Sequence, residues 1–208
     1  MRQSLLRWLA CFSVTLSACT SVPRAPDSAF ELQAAYDERV RGIATWVQWG
    51  FRGRLSMDDG EDGGSGRLHW QTEGESSQLD FRGTLGKGAW RLSLAPGSAE
   101  LTRSDGSQLT GASVQALLRS EWGWEVPVED LVYWVRGLRA PGPVEGIDFD
   151  DAGRITRLSQ SGWNIEFERY RDVSGRQLPG KIKAVSGQLT IKLVPARWTV
   201  PLTGEGHA

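Results

Sequence analysis

From Trp46 to Val200 the chain reads mainly in steps of two. Trp49, Phe51, Gly53, Leu55 and Met57 alternate with Gln48, Arg52, Arg54 and Ser56, the pattern of a strand with one buried face. Leu68 and Trp70 face one way in the next strand, and Leu79, Phe81 and Gly83 in the one after it. A fourth strand carries Trp90, Leu92 and Leu94, and Asp105-Gly106 turns the strand ending at Arg103 back through Leu109. Further on, Ile147 and Phe149, then Ile155 and Leu158, then Trp163, Ile165 and Phe167 repeat the alternation. Leu178, Ile182 and Ala184 are expected in one strand before the Ser186-Gly187 turn. Leu189, Ile191 and Leu193 alternate with Gln188, Thr190 and Lys192, and Trp198 and Val200 close the series.

Three stretches change to a spacing of three and four. Ser28 and Glu31 form a capping box ahead of Leu32, Ala35, Tyr36, Val40 and Ile43, with Gly42 as the expected stop. Val114, Leu117 and Leu118 stripe a second helix. Pro127 opens a third, with Val128, Leu131, Val132 and Val135 on one face, Trp134 beside them and Gly137 at the end. About ten or eleven strands joined by short turns predict antiparallel pairing. A sheet of that width must curl or close, because its twist accumulates. The pattern therefore predicts a β-rich α+β domain, with helices packed into the open side of a curved sheet. A filled barrel with helices outside is the competing arrangement.

The first residues follow a different logic. Arg2 and Arg7 precede an apolar run from Leu9 to Leu16 that is too short to span a bilayer. Leu16-Ser17-Ala18-Cys19 then resembles the lipobox of a bacterial lipoprotein signal. That resemblance implies cleavage before Cys19 and attachment of lipid to its thiol. The expected organisation is a signal peptide at 1–18, a lipidated N-terminus and tether at 19–27, one folded domain at 28–202 and a disordered tail at 203–208. Thr20 stands where Asp would favour retention at the inner membrane, so the sorting pattern implies the outer membrane.

Composition narrows the chemistry. Without Arg2 and Arg7 the 24 basic residues fall to 22 against 25 acidic ones, which offers no electrostatic footprint for nucleic acid. With Cys11 removed and Cys19 acylated, no disulfide is expected. Ten tryptophans, nine once Trp8 is lost, need a place to go: a filled core, or an apolar cavity walled by rings. The turn Asp58 to Gly66 fails as a calcium loop, with Gly60 at the third position and no closing Glu. Gly83-Thr84-Leu85-Gly86-Lys87-Gly88 fails as a phosphate loop, since Phe81 replaces its first glycine and Gly88 its Ser/Thr. His69 and His207 have no nucleophile-elbow pattern beside them, and no Cys/His cluster supports zinc. No catalytic residue, metal or cofactor is expected, although a pair of carboxylates could not be recognised by spacing alone.

Several stretches together resemble the LolB family of outer-membrane lipoproteins. They are the lipobox, Gln48 to Ser56 with Gly50 and Gly53, Trp70-Gln71, Gly83-Thr84-Leu85-Gly86, Trp134-Val135-Arg136-Gly137-Leu138, and Leu189 to Trp198. The resemblance implies an incomplete, strongly curved antiparallel β-barrel of about 11 strands with an α-helical lid over an apolar cavity, shared with the periplasmic carrier LolA. It implies a monomer, anchored in the outer membrane and facing the periplasm. Such a protein takes acylated lipoprotein cargo from LolA and delivers it to outer-membrane phospholipid. Leu85, flanked by Gly83 and Gly86, matches the family's membrane-insertion leucine, although Thr84 stands where the family often has Pro. The candidate acyl-chain cavity, chosen by strand faces, comprises Trp49, Phe51, Leu55, Trp70, Phe81, Trp90, Leu92, Trp134, Ile165, Phe167, Leu189 and Ile191. A structural or regulatory lipoprotein with a filled core and a protein partner is the alternative function.

Overall fold

The two-residue alternation becomes one sheet. A computed structural model describes residues 29–84 and 88–201. Cys19, the Ser28 half of the capping box, Leu85 and Gly86 lie outside the described residues. Helix α1 (Ala29–Ala44) leads into strands β1 (Gln48–Asp58), β2 (Gly63–Glu73), β3 (Ser76–Gly83), β4 (Trp90–Ala95), β5 (Ser98–Arg103) and β6 (Gln108–Gly111). Helices α2 (Val114–Trp122) and α3 (Val128–Trp134) follow. The second run is β7 (Gly146–Phe149), β8 (Ile155–Gln160), β9 (Trp163–Glu168), β10 (Arg171–Val173), β11 (Arg176–Leu178), β12 (Lys181–Ser186) and β13 (Leu189–Thr199).

Eleven of these strands form a single antiparallel sheet in the order β6-β5-β4-β3-β2-β1-β13-β12-β9-β8-β7, while β10 and β11 pair as a separate hairpin. Two meanders are thus joined in the middle by β1 against β13. The outer edges, β6 and β7, are the strands that precede and follow α2 and α3. The helical segment therefore crosses from one open edge to the other, and its apolar stripes cover the inner face.

Cross-strand register lines up that face. One row runs Leu109, Leu101, Leu92, Leu79, Trp70, Phe51 and Trp198 across seven neighbouring strands. A second runs Met57, Ile191, Ala184, Ile165, Leu158 and Ile147. Neighbouring strands approach most tightly at two positions that lack side chains. A Cβ on Gly53 would stand 2.4 Å from the Val194 carbonyl oxygen, beside the bulge at Arg52/Gly53. One on Gly66 would stand 2.2 Å from the Arg82 carbonyl oxygen. Any larger residue there would push strands apart.

Three expectations need correction. The third helix ends at Trp134 with Val135 as its cap, and Gly137 follows in the left-handed region within the turn beyond it. Gly42 does not stop α1, which continues to Ala44; its missing side chain instead admits the Arg176 guanidinium, 2.5 Å from where a Cβ would be. Leu178 does not share a strand with Ile182 and Ala184. It ends β11, and the chain turns at Gly180, whose N–H donates to the carbonyls of Glu168 and Arg169, before β12 begins.

Polar groups inside the domain tie the helices down. Gln160 is fully buried, and its Oε1 accepts from Trp134 Nε1 at 3.1 Å and from the Ala140 N–H at 2.9 Å. Its Nε2 donates to the carbonyls of Ala140 and Pro143. Arg136 is buried with no carboxylate among its bonds. It donates to the carbonyls of Val132 and Ile43 near the C-terminal ends of α3 and α1, and lies 4.9 Å over the Trp49 ring. Orphan carbonyls at helix ends are natural partners for a cation, yet burial still pulls this guanidinium down to about 10. Arg39 of α1 donates to the carbonyls of Arg136, Gly137 and Gln177, so α1, the segment after α3 and β11 meet on one side chain.

Gln160→Leu keeps the volume and removes four hydrogen bonds inside the core. Urea unfolding is expected to show a loss of about 2–4 kcal/mol, since each buried group left unpaired costs about 1–3 kcal/mol. A loss under about 1 kcal/mol would mean that water takes over the site.

Candidate functional site: the lidded apolar face and its mouth

The twelve residues chosen from the sequence, eleven on strand faces and Trp134 on α3, enter one continuous core. Trp49, Phe51, Leu55, Trp70, Leu92, Trp134, Ile165, Phe167 and Ile191 are buried in it, and Phe81, Trp90 and Leu189 pack partly buried against it. They do not all reach the same space. An interior void of about 40 Å3 is walled by apolar side chains alone, among them Leu55, Trp70, Trp90, Leu92 and Ile191. Leu68, Leu79 and Leu193 join them from the strands, with Leu118, Trp122, Val126, Val128 and Leu131 from the lid segment. Phe51 lies behind Trp70, with ring centroids 5.9 Å apart. Trp49 is pinned under Arg136, and Trp134 is held by Gln160. Ile165, Phe167 and Leu189 belong to the core but do not line the void. The void has room for only a few waters, at about 10–15 Å3 each on this measure, and is far too small for an acyl chain. With the lid closed, lid side chains occupy the space that an apolar guest would need.

An open cleft of about 1140 Å3 lies at the end of the sheet where the β1–β2 turn meets the β3–β4 connection. Its walls include Asp58, Asp59 and Asp62, then Gly83, Thr84 and Gly88, and also Arg103 and Glu121. Gly83 thus borders the mouth, and the Thr84 hydroxyl donates to the Ser65 carbonyl there at 2.9 Å. A row of four partly buried rings lines this mouth, and two of them, Trp90 and Trp122, also wall the void. Phe81 lies on Trp90 at 5.1 Å and 18°, Trp90 is 6.1 Å from Trp122, and Trp122 is 5.6 Å from Trp124. The last ring is polar-tipped: Trp124 Nε1 donates to Asp59 Oδ2 at 2.9 Å. That bond, with the N–H groups of Asp62 and Glu61, holds the Asp59 carboxyl below its ordinary range. Beside it Arg103 pairs bidentately with Glu121, which lowers the carboxyl and raises the guanidinium.

Strand alternation could not single out Trp122, Trp124, Asp59, Arg103 or Glu121. The available signal was the Trp122-Gly123-Trp124 triplet at the end of a helical stripe, too short to show a period. A second cleft of about 870 Å3, walled mainly by polar residues such as Gln48, Gln71, Glu73 and Gln78, lies at the opposite end. Among the described residues no group of three or more His, Cys, Asp or Glu side chains is placed to hold a metal ion. No helix among them is long and apolar enough to cross a membrane.

A family model described as outer membrane lipoprotein LolB matches residues 47–198. Curated relatives named outer-membrane lipoprotein LolB align over most of the chain. The protein of Alkalilimnicola ehrlichii is 34% identical over 201 residues, covering 96% of this chain and 99% of its own. That of Xanthomonas campestris is 32% identical over 199 residues, covering 89% and 91%. That of Stutzerimonas stutzeri is 31% identical over 191 residues, covering 90% and 92%. The sheet-and-lid fold also occurs in a Vibrio parahaemolyticus domain described among outer membrane lipoprotein-sorting proteins. Its TM-score is 0.52 at 9% identity, over 85% of this chain and 94% of that one. A DUF1329 family protein from Desulfovibrio piger gives 0.51 at 10% identity, over 84% and 95%.

The lowered Glu121 carboxyl makes mouth stability depend on pH. A carboxylate whose value drops on folding contributes fully above its ordinary range, near 4.5 here, and loses that contribution as pH falls through the lowered value. Urea unfolding at stepped pH is therefore expected to show a shallower acid decline for Glu121→Gln than for the unaltered protein, with the two curves converging at the acid end. Parallel curves would show that the pair with Arg103 adds nothing to stability.

Proposed function

This chain belongs to the LolB family of outer-membrane lipoproteins, and on that footing we propose that it receives acylated lipoproteins from LolA and inserts them into the inner leaflet of the outer membrane. The observation that carries this reading is the continuous apolar surface under the lid, joined to an open mouth through the shared rings Trp90 and Trp122. Each methylene is worth about 0.8 kcal/mol when buried. Exposing the acyl chains of one lipoprotein to water would thus cost on the order of tens of kcal/mol. Transfer must pass the chains from one apolar surface to another with little exposure at any moment. A lid that now fills the sheet's inner face can yield its place to a guest of the same polarity, so the exchange is nearly balanced. Direction follows if the membrane holds the chains better than this domain, and this domain better than the carrier.

In this reading Cys19 carries the lipid anchor, and residues 19–27 tether the domain beside the acceptor leaflet, raising its local concentration there. Leu85, which follows in sequence after Gly83 and Thr84 of the mouth wall, enters the leaflet and starts delivery. The reading assigns no catalytic residue and no cofactor. The small void favours a second reading, in which the core never opens and the domain binds a protein partner through its surface.

Residues 20–208, mixed with labelled lipoprotein bound to LolA and then separated from it, are expected to carry the label. Retention of the label on LolA, with the domain shown to be folded, would favour the closed-core reading. Leu85→Glu is expected to take up label normally and to deliver it to liposomes at least about tenfold more slowly, because a charge in a leaflet costs about 2.5 kcal/mol or more. Undiminished delivery would remove Leu85 from the mechanism.

A further inference from the structure

The interior void and the open mouth share four wall residues: Leu55, Met57, Trp90 and Trp122. These four form the partition between them. Leu55 and Met57 lie on β1 and Trp90 on β4, each in a strand paired on both sides, so their backbones are fixed by the sheet. Trp122 is different. It is the last residue of α2, outside the sheet, and Gly123 follows it in the left-handed region at φ 71°.

The lid is also held unevenly. α3 is pinned from inside, through Trp134 to the buried Gln160. Among the described residues, side-chain hydrogen bonds tie the α2 end to the sheet at two places, both on the rim: Glu121 to Arg103, and Trp124 to the Asp59 carboxylate. Those two contacts flank Trp122 on either side in sequence. Otherwise α2 is held by the burial of Val114, Leu117 and Leu118, non-directional apolar contacts that an apolar guest can replace.

We infer that Trp122 is the gate of the acyl site and that the Glu121–Arg103 and Trp124–Asp59 contacts are its latch. The inference rests on the transfer reading and adds to it the residues that control access. In the closed state Trp122 lies between Trp90 and Trp124 and seals the void from the mouth. When the latch is released, α2 swings from its Gly123 end, Trp122 leaves the partition, and an acyl chain follows the rings inward from the mouth. The chain then covers the surface that Leu118 and Trp122 had covered. Because the apparent affinity of a site scales with the fraction of protein in the competent state, the latch sets how readily cargo enters.

The test uses the intact lipidated chain in liposomes, unaltered and as the double variant Asp59→Asn with Glu121→Gln, which keeps the shape of both contacts and removes their charge. Hydrogen exchange of the amides in Val114–Trp122 is expected to quicken about tenfold in the variant, with those of Val128–Trp134 unchanged, as the loss of hydrogen bonds to charged groups would give. Transfer of a labelled lipoprotein from LolA is expected to quicken in step. Equal acceleration of exchange in both helices would overturn the inference, since the contacts would then serve global stability. Faster exchange in α2 with unchanged transfer would overturn the gate and leave the transfer reading intact. Local acceleration without transfer by either protein would overturn the transfer reading and the gate with it.

Discussion

An open, curled antiparallel sheet with an apolar inner face cannot exist in water uncovered, and the rest of this domain answers that constraint. The two inner rows of large side chains run across all eleven strands. At about 25 cal/mol per Å2, leaving such a face wet would outweigh the net stability of an ordinary domain. The chain solves this by topology. It places the two helices that can cover the face between the two strands that form its open edges. The connection needed to reach β7 from β6 is the lid itself.

The cover is held in two ways with different consequences. α1, the segment after α3 and β11 are tied by arginines whose cations sit on backbone carbonyls. α3 is held through Trp134 to the Gln160 amide at the end of β8, which satisfies four partners inside the core. Such networks are expensive to open, because every member left unpaired in a low-dielectric interior pays its desolvation. α2 relies instead on apolar contact and on rim carboxylates that water can replace. One half of the lid is therefore fixed and the other exchangeable. In the transfer mechanism proposed above, that division would let an apolar guest take the place of an apolar helix face without disturbing the frame.

The strands, their faces and the lid helices were legible in the chain, because a period of two or of 3.6 is a local property written in side-chain polarity. Trp49, Phe51, Trp70 and Ile191 share a core because alternate residues of paired strands share a face. The Pro127 start of the third helical stretch likewise follows from φ preferences alone. Family membership was legible for a related reason, since it rests on many weak local matches in order.

What tertiary structure alone decided is who faces whom across the inner space. Gly42 reads as a helix stop until Arg176, far along the chain, is seen to need its missing side chain. Leu178 reads as one strand with Ile182 until Gly180 turns onto the carbonyls of Glu168 and Arg169. Ile165 and Phe167 alternate as cleanly as Leu55 and Leu92, yet they do not line the void, because lid placement selects which part of a uniform apolar face remains in reach. Trp122 and Trp124 gain their place from partners on β4 and beside β1. Polarity along a chain determines which side of an element seeks cover; the closure of the sheet determines what supplies it, and how much room is left.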